Sequence, residues 1–163
     1  MELEWAPVPG FPNYLISTNG DIVNGNSGRW LSVSQTQEGV PKVGLVEGNT
    51  QYTRSVAVLV ASAFVPGRDN VSDTVVHLDG NTCNNSSHNL VWRPRWFAWA
   101  YASEISAPSV NDRIGPLRCV VTGTRYVDIF EAAQACGLLP SDIRKSIVMS
   151  EAVFPTLQRF EMV

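Results

Sequence analysis

One stretch limits what this chain can fold into more than any other. It runs Thr74-Val75-Val76-His77-Leu78-Asp79-Gly80-Asn81, then Thr82-Cys83-Asn84-Asn85-Ser86-Ser87-His88-Asn89, then Leu90-Val91-Trp92. The β-branched run before His77 predicts a strand that delivers the imidazole to its end. Asp79-Gly80-Asn81 predicts a tight turn, because Gly and Asn accept positive φ. A polar loop follows, and Leu90 and Trp92 return at period two to a buried face. Polar side chains around one histidine, bracketed by apolar anchors, are the makings of a small site.

His77-x-Asp79-Gly80-Asn81, Asn84-Asn85 and Asn89-Leu90-x-Trp92 together resemble the HNH endonuclease motif of phage and intron-encoded homing nucleases. The resemblance implies two strands and a helix (ββα) around one divalent metal, Mg²⁺ or Mn²⁺. It implies His77 as the general base for phosphodiester hydrolysis and Asn89 as the residue that orients it. The family's metal ligands, however, fall on Val76 and Ala98 here. Neither side chain can hold a hard cation, which takes carboxylate or amide oxygens. Asp79 is the candidate substitute ligand.

The flanks agree with the motif. Residues 1–55 read as an N-terminal β module with short strands at Tyr14–Ser17 and Asp21–Val23 and a hairpin turn at Thr18-Asn19-Gly20. Its Trp5, Pro9-Gly10-Phe11 and Tyr14 resemble the module that precedes the HNH domain in phage homing endonucleases. Further strands are expected at Trp30–Val33, Pro41–Val46 and Gln51–Arg54. Residues 56–102 form the HNH-like domain, entered by a helix over Val56–Phe64 on which Ala57 and Val58 stand where relatives carry a His-Arg pair. A second helix begins near Pro94.

Residues 103–116 read as a linker. Residues 117–163 form a C-terminal unit: a hairpin over Leu117–Val121 and Thr124–Val127, then helices 129–136 and 140–147. Asp128 is a fitting N-cap and Gly137 a fitting stop. This unit resembles the C-terminal helix-turn-helix-like repeat of the same endonucleases, which implies that helix 140–147 meets DNA through Ser141, Arg144 and Lys145. Arg93 and Arg95 are phosphate-contact candidates. His88 reads as a plain loop residue, and Asn84 and Asn85 as groups that satisfy loop backbone.

Charge tempers the DNA reading. The 163 residues carry net −3, and Lys42 and Lys145 are the only lysines. Residues 1–92 hold four Arg/Lys against eight Asp/Glu, whereas residues 93–163 hold eight against seven. A basic footprint drives nucleic-acid affinity, so DNA contact is expected mainly in the second part. Three cysteines without a Cys-x-x-Cys pair read as free thiols in a reducing compartment. No apolar run approaches the ~18 residues of a membrane span, and no signal peptide is visible.

The expected fold is α+β: a small N-terminal β module, a ββα-metal domain, and a C-terminal hairpin with helix-turn-helix-like unit. The expected function is that of a phage-type HNH-family protein binding double-stranded DNA, with cleavage weak or lost. The alternatives are an active Mg²⁺-dependent homing endonuclease, or an HNH scaffold recruited as a phage structural or protein-binding component with a protein partner or as a homo-oligomer. The implied location is the cytoplasm of a bacterial host, or for the structural alternative the virion.

Overall fold

The structure is a computed structural model and describes residues 3–163. The fold is α+β, as expected, and divides into two compact units. The first runs to His77 and resumes over Asn81–Arg95; the second comprises Leu78–Gly80 and Trp96–Val163.

In the first unit, β1 (Trp5–Val8), β2 (Phe11–Ser17) and β3 (Ile22–Asn24) form an antiparallel sheet in that order. Alternation places Tyr14 and Ile16 inward along β2, and Phe11 is buried at the strand's start beside the β1–β2 irregularity. The β2–β3 turn needs Gly20, whose φ is +92°; a Cβ there would lie 3.0 Å from Val56 Cγ1. A second sheet follows, with β4 (Val33–Gln35), β5 (Pro41–Glu47) and β6 (Thr50–Ser55) in order. The strand expected at Trp30–Val33 is displaced. Trp30 makes a single bridge to Val23, with its ring 5.7 Å from that of Trp5, and pairing with β5 starts only at Val33.

Helix α1 (Val56–Phe64) forms despite its β-branched residues, because Val56, Ala57, Leu59, Val60 and Ala61 are all buried. Tertiary packing outweighs a propensity penalty of a few tenths of a kcal/mol per residue, roughly. Strands β7 (Thr74–His77) and β8 (Leu90–Arg93) then pair antiparallel, with His77 opposite Leu90. One core joins Val8, Phe11, Ile16, Ile22, Leu45, Val60, Leu90 and Trp92. Residues on both sides of position 55 therefore share an interior, where the sequence reading placed a boundary. The Trp92 indole donates to Val65 O at 3.1 Å, and Arg68 lies 4.9 Å over its ring.

Helix α2 (Arg95–Ser106) starts directly after Pro94, lies in the second unit from Trp96 on, and buries Phe97, Tyr101 and Ile105. It extends into the supposed linker because Ile105 still faces a core. Further on, Ser109 caps a 3-10 turn over Val110–Arg113 in a reciprocal box with the buried Asp112. Most of residues 103–116 is thus structured.

Strand β9 (Leu117–Cys119) is central in an antiparallel sheet, between β10 (Arg125–Tyr126) and the C-terminal β11 (Phe160–Met162). Helix α3 (Ile129–Cys136) has Asp128 as N-cap, accepting Glu131 N–H at 2.7 Å, and ends on left-handed Gly137. Helix α4 (Pro140–Met149) opens with Pro140 in its first turn. The buried Ser146 hydroxyl donates to Glu151 O and accepts Phe160 N–H, tying α4 to β11. No helix among the described residues is long and apolar enough to cross a membrane.

Candidate nuclease-like site

The β7–β8 hairpin sets His77 at the end of a strand, half-buried, and residues 81–89 lead the chain back into β8. That loop is held by its own asparagines. Asn81 Oδ1 accepts Cys83 N–H at 3.0 Å, and the Asn89 amide donates to Asn84 O at 2.9 Å. Ser87 N–H reaches Thr18 O at 2.8 Å, so the turn of the β2–β3 hairpin anchors the loop from outside.

The amide that meets the imidazole is Asn85. Its Oδ1 lies 3.1 Å from His77 Nε2, and its side chain is only 6% exposed. A buried amide must be hydrogen-bonded or it costs about 1–3 kcal/mol. Here Asn85 Cβ packs against the Gly20 turn while its oxygen faces the ring. With Oδ1 as acceptor, Nε2 carries the proton and Nδ1 is left as the basic nitrogen.

Asn89, expected in that orienting role, donates to the Asn84 carbonyl and pins the loop. The sequence alone points to Asn85 as a loop-backbone residue. The signal that could have found it is weak: of two adjacent asparagines midway around a closing loop, one has to turn inward.

The ligand positions do not fit a hard cation. Val76 is buried and apolar, and Ala98 has no donor. Asp79 is exposed on the Leu78–Gly80 turn, which packs within the second unit. There the Tyr101 hydroxyl donates to Leu78 O at 2.8 Å, and Ile105 lies 3.0 Å from where a Gly80 Cβ would stand. Among the described residues no three His, Cys, Asp or Glu side chains come together as a metal-holding group. A cavity of about 450 Å³ adjoins the loop, lined by Glu4, Thr18, Phe64 and His88 among others, and His77 does not line it.

The DNA-contact candidates are mostly engaged inside the protein. Arg93, half-buried, donates to Trp92 O at 2.9 Å, and Arg95 is exposed. In the second unit, Ser141 N–H and hydroxyl both donate to Glu104, at 2.9 and 2.8 Å. Arg144 is ion-paired with the buried Asp112, and Lys145 lies 3.5 Å from Asp142. Each α4 group expected on DNA thus has an acidic partner within its own unit.

A β-hairpin with an end-of-strand histidine and an asparagine-laced loop is similar to the scaffold of the HNH endonucleases. The relatives agree. The chain is 40% identical over 94 residues to "Uncharacterized HNH endonuclease L245" of Acanthamoeba polyphaga mimivirus, covering 56% of this chain and 27% of that protein. It is 34% identical over 91 residues to "DNA endonuclease I-HmuI" of Bacillus phage SP01, covering 55% of this chain and 52% of that protein. A solved structure described as "DNA binding and cleavage by the HNH homing endonuclease I-HmuI" shares the fold, with TM-score 0.59 and 23% identity over 97% of each chain. No family model matches. The chain spans at most about half the length of the curated relatives it matches.

Proposed function

We propose that this chain is an HNH-scaffold protein that binds double-stranded DNA and cuts it weakly or not at all. One observation carries the reading: His77 Nε2 lies 3.1 Å from the Asn85 amide oxygen, while the positions expected to grip a cation are Val76 and Ala98. A bound metal supplies several kcal/mol of stabilisation to the leaving oxygen, roughly three or more orders of magnitude in rate. With His77 alone, proton abstraction has no counterpart at the departing group. DNA binding is supported by the relative whose solved structure is described as binding and cleaving DNA.

The test pairs two assays on Val76→Asp/Ala98→Asn beside wild type. Both proteins should shift duplex DNA in a salt-sensitive way, and the double variant should gain plasmid nicking in Mg²⁺ or Mn²⁺. A double variant that stays folded and binds duplex yet remains inert would show that more than ligands is missing. No duplex shift at low salt would remove the DNA reading and leave a protein-binding role for the scaffold.

A further inference from the structure

Helix α2 carries two tryptophans that no core requires. Trp96 is 60% exposed and Trp99 80% exposed, one turn apart on the same helix. Burying an aromatic ring removes some 150–250 Å² from water, so leaving two on the surface forgoes considerable stability. Side chains of this size left in water mark a contact surface.

Trp96 is held in place. Phe154 stacks on it at 5.9 Å with planes 28° apart, and Phe97 meets its edge at 5.7 Å. Trp99 has no ring partner among the described residues and is four-fifths exposed. The exposed Arg95 stands one turn before it, and the first turn of α2 holds no acid. The one carboxylate of the helix, Glu104, is drawn off to Ser141 at the start of α4. The exposed residues of α2 are therefore a cation, two indoles and small side chains (Ala102, Ser103, Ser106), with no acid among them.

A protein-binding hot spot needs only the rings. A cation placed one turn from an open indole, at the positive end of the helix, adds complementarity to a polyanion that also carries flat apolar rings. We propose that Trp99, supported by Trp96 and Arg95, is a stacking platform for an unpaired nucleobase of bound DNA. The proposal rests on the DNA-binding reading and names the form of DNA this face takes: a strand whose base is already out of the helix. Such a base offers its π face to the indole while Arg95 meets the adjoining phosphate.

The experiment measures fluorescence anisotropy of a labelled thymidine homopolymer and of a fully paired duplex against wild type, Trp99→Ala, Trp99→Tyr and Arg95→Ala. Trp99 is exposed, so thermal melts of its variants should match wild type. Trp99→Ala should weaken homopolymer binding about 5- to 150-fold, leave duplex binding unchanged, and be largely rescued in Trp99→Tyr. Arg95→Ala should lower the salt slope on the homopolymer by about one. Duplex binding with no Trp99 effect on the homopolymer would overturn the platform alone. Equal loss on both DNAs would overturn it too, as would a Trp99-dependent dimer on sizing with homopolymer affinity intact. Absence of binding to either DNA would remove the DNA-binding reading itself.

Discussion

The polar loop between β7 and β8 depends on which asparagine does which task. Asn85 is buried against the imidazole and Asn89 braces the backbone from a less buried position. Asn85→Ala should therefore cost about 1–3 kcal/mol in urea unfolding, since it strands a half-buried ring nitrogen. Asn89→Ala should cost about 0.5–1.5 kcal/mol, the worth of an ordinary hydrogen bond. Equal losses from the two would show that the pairing with His77 is not special.

The cysteines offer a second check at this scale. Cys83 is exposed, whereas burial pushes the Cys136 thiol up and the Tyr126 hydroxyl lies 3.2 Å from its sulfur. Burial, then contact with Cys136, likewise raises the Tyr126 phenol. Because a thiolate is the attacking species, a neutral alkylating reagent should label Cys83 first and Cys136 more slowly, the gap narrowing at alkaline pH. Mass mapping that finds Cys136 modified first would contradict this.

Secondary-structure elements were the most legible part of the sequence. β7, α1 and α3 follow from local rules: a β-branched run, an apolar stretch closed by Val65-Pro66, and an Asp cap with a glycine stop. What local rules miss are partners far along the chain. Phe160–Met162 becomes a strand only because β9 has a free edge and Ser146 receives the Phe160 N–H. The same blindness hid Glu104 and Asp112, which occupy the polar groups of α4 from 37 and 32 residues away.

The two ion pairs on α4 should therefore behave differently. Asp112 is buried and also accepts Ser109 N–H at 2.7 Å, whereas Lys145 is largely exposed. Asp112→Ala should cost about 2–4 kcal/mol. A fully buried pair would cost more, but Arg144 keeps a third of its side chain in water. Lys145→Ala should change stability by about 0–1 kcal/mol. Denaturant titrations that reverse this order would show that α4 is held otherwise.

For the molecule as a whole, the spacing of His77, the asparagines and Trp92 was enough to point to the scaffold, because that spacing encodes a hairpin and its loop. Chemistry was less legible than lineage. A motif conveys where an imidazole will sit, whereas competence depends on what stands beside it, here Val76 and Ala98. Charge follows the same logic: net −3, with Arg144 and Lys145 already paired, leaves few cations for phosphates.

The central claim, a preserved base without a grip on metal, is tested most directly by nicking of supercoiled plasmid at high protein concentration in Mg²⁺ and in Mn²⁺, wild type beside His77→Ala. Weak or absent nicking by wild type is the expected result, so that the two traces differ little or not at all. Efficient metal-dependent nicking by wild type that disappears in His77→Ala would contradict the claim and make this chain a working nuclease.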